Sequence, residues 1–235
     1  VAAILLSLEQ KGLLQNTIIV YASDNGFLWG EHRTVKKQKP YEESVRVPLV
    51  VLYPGLAARS DARLVATDLD LAPTFLEIAG VPPGASDGLS LLPFLADPSR
   101  PGRQALLLEG FANGVPQEDL ATVADDMSEL EEEIPAKLAA TSFGGVPSWA
   151  AVRTADGWKY VELATGEKEL YRLAPGDDPY ELESKHNDPA HQSKMAELAS
   201  LLQELKRGLA VRTDTLPNPS YLDLPSASAG VPYDF

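Results

Sequence analysis

Asp24 and Asn25 stand side by side, a carboxylate next to an amide carbonyl, and both are hard oxygen donors of the kind that Ca²⁺ or Mg²⁺ takes. Gly26 follows and lets the backbone turn behind them. Asp-Asn-Gly alone is a common turn, and it is the continuation that points to chemistry. Glu31-His32 comes next, then a knot of cations, Lys36-Lys37-Gln38-Lys39. An ammonium is a compact point charge suited to a tetrahedral oxyanion such as sulfate or phosphate. A metal and a lysine held close together would take two sides of one anion. Taken singly, lysines are surface groups, and solvation is the expectation for at least two of these three.

Such residues need a scaffold on either side. The β-branched run Thr17–Ala22 reads as a strand that delivers Asp24 and Asn25 at its carboxyl end, where open α/β sheets keep their ligands. Before it, Val1 to Gly12 places Ile4, Leu5 and Leu8 on one helical face, with Gly12 as the stop. Beyond the lysines, Val47–Tyr53 reads as a second strand, closed by Pro54-Gly55. Two nearly continuous apolar strands predict a sheet covered on both faces. Between them Glu42 and Arg46 are four apart, and on one helical turn they would pair and fix the lysine loop.

The remainder of the chain divides by its turn signals. A helix through Leu69, Leu71, Phe75, Leu76 and Ile78 is expected to pack in the core, capped by Thr67 or Asp68 and ended by Gly80, with Pro73 in its early turns. Ser90–Leu95 is a short helical turn, Asp97–Gly102 a loop, and Ala105–Glu109 a strand. Trp149–Thr154, Trp158–Leu163 and Lys168–Leu173, separated by Asp156-Gly157 and Thr165-Gly166, predict a small three-stranded antiparallel sheet. Trp149, Trp158 and Tyr160 are expected to pack rather than bind. Asp188-Pro189 starts a helix whose apolar stripe is Met195, Leu198, Leu201, Leu202, Leu205 and Leu209, and His186 and His191 beside its start read as surface or capping groups. The domain reading is 1–110 for an α/β portion, 111–147 for an acidic insertion, 148–210 for the small sheet with its helix, and 211–235 for a Pro/Ser-rich tail.

Composition narrows the function. A net charge of −14 over 235 residues argues against nucleic acid and anionic membranes as partners. Residues 118–133 hold eight acids and no base, more than half of that imbalance, which reads as a solvated face or loop. No apolar run approaches the roughly 20 residues of a membrane span. With no cysteine there is no disulfide, thiolate metal site or cysteine nucleophile in this sequence. A first residue already inside an apolar-periodic segment suggests a piece of something larger.

The run S-D-N-G, G-E-H, K, Y-E-E-S-V-R-V-P-L-V resembles the second half of the sulfatases, members of the alkaline phosphatase superfamily. The likeness continues through D-L-D-L-A-P-T-F-L-E-I-A-G-V-P and D-G-L-S-L-L-P-F-L, and resumes at A-V-R-T-A-D-G-W-K-Y and E-L-Y-R-L-A-P-G-D-D-P-Y-E-L-E-S. It implies an α/β fold: the C-terminal part of an alkaline-phosphatase-like mixed sheet flanked by helices, followed by the small antiparallel sheet and C-terminal helix. It implies Asp24 and Asn25 as ligands of Ca²⁺, with Mg²⁺ second, Lys37 as the lysine that binds sulfate, and His32 as a catalytic or substrate-lining group. The substrate class implied is a sulfated small molecule or glycan. A formylglycine nucleophile and the remaining metal ligands are expected upstream, so that the chain by itself would be inactive and bind calcium weakly. Asp97-Pro98-Ser99-Arg100 imitates the end of the family's C-x-P-S-R activation motif, but Ala96 cannot be oxidised to formylglycine, and the stretch reads as a surface turn. Two alternatives stand beside the sulfatase: a phosphodiesterase or phosphonate monoester hydrolase of the same superfamily, in which His is common where this chain has Asn25, and an inactive fragment that only binds.

Overall fold

The computed structural model describes residues 1–82, 84, 86–111 and 147–208. In chain order its elements are helix α1 (Ala2–Gln10), strands β1 (Ile19–Ala22), β2 (Leu28–Trp29) and β3 (Val35–Lys36), the single-turn helix α2 (Glu42–Val45), β4 (Leu49–Leu52), α3 (Thr67–Ile78), α4 (Leu92–Ala96), strands β5 (Ala105–Gly110), β6 (Trp149–Thr154), β7 (Trp158–Leu163) and β8 (Lys168–Arg172), and helix α5 (Gln192–Lys206). The result is mixed α/β. None of the helices among the described residues is long and apolar enough to cross a membrane. The acidic stretch 118–133, Leu209 and the tail lie outside the described residues.

The described residues form two compact units, Val1–Asp24 with Val47–Arg103, and Asn25–Arg46 with 104–111 and 147–208. In the first, β1 and β4 pair antiparallel, Tyr21 opposite Val50. That pair of side chains is exposed, so the expected cover on both faces is missing on this side of the ribbon. Helix α3 also differs from expectation. Its apolar residues Leu69, Phe75, Leu76 and Ile78 are exposed, and the buried ones are Asp70, Pro73 and Thr74. The reason is polar. The Asp70 carboxylate takes a bidentate contact from Arg103 at 2.8 and 2.9 Å and also accepts from the Leu89 and Ala66 amides. Thr74 accepts from the Leu91 amide. The Ala66 contact closes the first turn from inside the helix, since Ala66, not Thr67 or Asp68, is the N-cap. Asp97–Arg100 is the surface turn expected of it, with Asp97 accepting from the Ser99 amide and hydroxyl.

The second unit is built on a four-stranded antiparallel sheet in the order β5-β6-β7-β8. The three predicted strands are there, and 105–110 joins them as a fourth through pairing with β6. Gly157 and Gly166 turn the hairpins at φ +96° and +94°, a region that favours glycine. Strand alternation sorts the faces. Ala150, Val152, Tyr160 and Leu170 pack against Leu198 and Leu202 of α5, and the 3-10 turn Pro189–His191 that leads into α5 is capped by Asp188 accepting from the Ala190 amide. Trp149, Ala151 and Val161 point the other way and meet Val45 of α2. The opposite face also carries Lys159, Arg153, Glu169 and Tyr171, and the 25–46 segment binds there through charge.

At its centre Lys159, wholly buried, places its ammonium 2.8 Å from Glu181 and 3.2 Å from Glu42. Arg153 reaches the same Glu42 oxygen at 3.6 Å, and the second Glu181 oxygen accepts from the Glu42 amide at 2.6 Å. Burial pushes the Glu181 carboxyl above the usual carboxylate range, and the Lys159 ammonium pulls it back. Glu42 therefore pairs with Lys159 and Arg153 instead of Arg46. Helix α2 ends at Val45, Arg46 is extended, and the face that an i,i+4 pair needs does not exist.

Removing one partner strands a buried charge, so Lys159→Met is expected to cost about 3–5 kcal/mol in chemical denaturation. Adding Glu181→Gln, which removes the stranded charge and keeps an acceptor for the Glu42 amide, should recover more than half of that loss. A single-variant cost under about 1 kcal/mol would contradict the role assigned to this triad.

Burial pushes the phenols of Tyr41, Tyr160 and Tyr171 well above the ordinary tyrosine range, with Glu169 adding to the shift for Tyr41 and Tyr171 and Glu162 for Tyr160. An unfolded tyrosine loses its proton near about pH 10. The folded state keeps those protons longer, so the stability they confer is whole below about pH 10 and declines as pH rises beyond it. In an alkaline absorbance titration these three should ionise together with unfolding, and Tyr→Phe at each should reduce that cooperative step by one phenol.

Candidate active site

The loop carrying the candidate residues is a distorted hairpin. β2 and β3 pair Leu28 with Lys36 and Trp29 with Val35, and the turn between them passes through Gly30 at φ +136°. His32, Arg33, Lys36 and Gln38, none of them glycine, also have positive φ. Each such residue costs of order 1 kcal/mol or more, so the conformation persists only where surroundings impose it. They do. The Gly26 amide donates to Ser44 O at 2.9 Å, and the Lys39 amide to Ser44 Oγ at 3.3 Å. Trp149 Nε1 donates to the Gln38 carbonyl at 2.9 Å from strand β6. Gly26 does not supply a positive φ. A Cβ there would lie 2.0 Å from the Glu43 carbonyl oxygen, so what the site needs at 26 is close backbone approach.

Within this frame Lys37 Nζ donates to Asn25 Oδ1 at 2.9 Å. Asn25 Nδ2 donates to the Gly26 carbonyl at 2.8 Å, which fixes the amide so that its oxygen faces the ammonium. An amide oxygen of this kind is a hard donor that a metal ion can take. Asp24 is exposed just past the end of β1. Lys37 is exposed, while the Lys36 ammonium is buried and Lys39 is half-buried with its pKa lowered by desolvation. The expectation that at least two of the three lysines are solvated is thus reversed, because the hairpin folds Lys36 and Lys39 inward and leaves Lys37 alone at the surface.

His32 is placed differently from Lys37. Its side chain is mostly buried, stacked on Tyr41 with ring centroids 3.7 Å apart, and Nε2 lies 3.4 Å from Glu43 Oε2. Tyr41 in turn donates to Glu169 at 3.2 Å. His32, Glu43 and Glu181 bring one ligand atom each within 4.8 Å of one another. Glu181 pairs with the Lys159 ammonium at 2.8 Å and accepts from the Glu42 amide, and His32 stacks on Tyr41, so the cluster braces the loop. His186 and His191 bond to Ser184 and Asp188 beside the helix entry. Trp149 and Tyr160 pack in the core. Sequence reading missed the support residues Trp149, Glu169, Lys159 and Glu181. A lysine and a glutamate inside apolar or turn segments were the available signal, but nothing local says what they pair with.

The model of the Sulfatase family matches residues 1–81. Human N-acetylglucosamine-6-sulfatase is 31% identical over 225 residues, 91% of this chain and 40% of that protein. Bovine arylsulfatase K is 47% identical over 91 residues, 38% of this chain and 17% of that protein. N-acetylglucosamine-6-O-sulfatase of Bacteroides thetaiotaomicron is 48% identical over 90 residues, 37% of this chain and 16% of its own length. Among solved structures, BT4656 in complex with its substrate D-glucosamine-2-N,6-O-disulfate superposes with a TM-score of 0.64 at 28% identity, covering 88% of this chain and 37% of that one. The phosphonate monoester hydrolase of Agrobacterium radiobacter gives 0.67 at 25%, covering 88% and 38%. The chain therefore spans well under half the length of these relatives. The fold is that of the alkaline-phosphatase-like sulfatases, and the chain is similar to members of the sulfatase family along most of its length, with the family model itself matched over residues 1–81.

Proposed function

We propose that this chain contributes the metal-and-lysine part of the active site of a calcium-dependent sulfatase acting on sulfate esters of saccharides. The observation that carries the proposal is the Lys37 ammonium held 2.9 Å from an amide oxygen that a buried framework orients. Asp24 and Asn25 would hold the ion, which when bound supplies Lewis-acid polarisation of the sulfate oxygens. Lys37 binds the sulfate and offsets the charge that grows on it and on the leaving oxygen. Asn25 can serve both cations, since its carbonyl oxygen has two lone pairs. His32, proposed from the family motif as a catalytic or substrate-lining residue, contributes here by stacking under Tyr41 and so bracing the lysine loop. Relatives that act on 6-sulfated glucosamines support a sulfated saccharide as substrate.

A phosphonate monoester hydrolase has the same fold and is the second reading. Asn25 favours the sulfatase, and comparing sulfate with phosphate and phosphonate esters on the complete protein separates the two.

In the complete enzyme Lys37→Ala should lower kcat/KM by about 10²–10³-fold, the scale of losing one preorganised donor to a developing negative charge. Lys36→Ala and Lys39→Ala, read per folded molecule, should fall far short of that. Equal losses for all three would remove the assignment of Lys37. Calcium takes about six to eight oxygens, so calorimetry on the 235-residue chain should show weak uptake or none. Chelation should abolish turnover by the complete enzyme, and added Ca²⁺ should restore it.

A further inference from the structure

The segment Asn25–Trp29, which leads into β2, carries residues with opposite surroundings. Gly26 lies against the Glu43 carbonyl and Leu28 is fully buried, so both point inward. Phe27 and Trp29 lie toward solvent instead. Trp29 is 73% exposed and Phe27 36%, and their rings meet with centroids 4.7 Å apart at 48°. Two large aromatics in contact in the open, on either side of a fully buried Leu28, make an exposed apolar surface. Lys37 lies at the other end of the segment, with Nζ on Asn25. From Asn25 the backbone reaches Phe27 within about 7 Å and Trp29 within about 14 Å.

We propose that Phe27 and Trp29 form the stacking platform for the sugar ring of a sulfated saccharide whose sulfate is held at Lys37, which makes them specificity-determining residues. The inference rests on the sulfatase reading. The charge end and the ring end of such a ligand match the two ends of this segment. A pyranose offers an apolar C–H face to the indole while its hydroxyl rim stays in water, which suits a platform open on one side better than it suits a ligand that must be desolvated all round.

The test uses the complete enzyme and two probes, N-acetylglucosamine 6-sulfate as substrate and inorganic sulfate as competitive inhibitor. Trp29→Ala should raise KM for the saccharide about tenfold, the upper range for loss of one aromatic contact. Trp29→Tyr should restore most of it, and the inhibition constant of inorganic sulfate should not move. Lys37→Ala should weaken both. An unchanged saccharide KM in Trp29→Ala, or a parallel change in saccharide KM and sulfate inhibition with a lowered melting temperature, would overturn the platform and leave the sulfatase reading intact. A wild-type enzyme that hydrolyses no sulfate ester would overturn the sulfatase reading itself.

Discussion

The lysine loop depends on an ammonium that water never reaches. Lys159 is buried on strand β7 between Glu42 and Glu181, and its burial is tolerable only because both carboxylates are within 3.2 Å. Helix α2, which brings Glu42, is four residues long and cannot hold itself together. What holds it is the set of contacts on its first residue: the Glu42 side chain on Lys159 and Arg153, and its amide on Glu181. Glu181 itself sits at φ +54°, an unfavourable conformation for glutamate, and its position is the one from which its two oxygens reach both the ammonium and the amide. Once α2 is fixed, Ser44 takes the Gly26 and Lys39 amides, and the loop that ends in Lys37 follows.

This dependence explains why a small antiparallel sheet accompanies the lysine segment. One face of β6–β8 is an ordinary apolar core against α5. The opposite face combines three packed hydrophobic residues with charged and aromatic groups that each have a partner in 25–46: Lys159 with Glu42, Glu169 with Tyr41, and Trp149 with the Gln38 carbonyl. Hydrogen bonds and ion pairs are directional where apolar contact is not, and a loop with four non-glycine residues at positive φ needs direction more than it needs adhesion. The sheet serves as a jig for the loop.

The local features were legible from sequence. Strands β6, β7 and β8, the glycine turns between them and the capped entry of the C-terminal helix follow from alternation and turn chemistry, which act over a few residues. The motif residues Asp24, Asn25 and Lys37 were legible as a pattern, and Lys37 and Asn25 do meet. What failed was everything decided by pairing at long range. Glu42 and Arg46 look like an i,i+4 pair until a lysine 117 residues away takes the glutamate. Helix α3 reads as apolar-faced until Arg103, 33 residues on, claims Asp70 and turns the polar side inward. Lys36 and Lys39 look solvated because nothing in their own neighbourhood says that the hairpin will fold them under.

The same hairpin separates stability from chemistry residue by residue. Gly26 and Leu28, pointing in, are constrained by a backbone contact and by full burial, and they admit little change. Phe27 and Trp29, exposed, owe little to the core. With Lys37 bonded back to Asn25, one segment presents a fixed donor set at its start and an aromatic surface that is free to differ a few residues later. Substitutions at 27 and 29 would leave the buried contacts at 26 and 28 undisturbed.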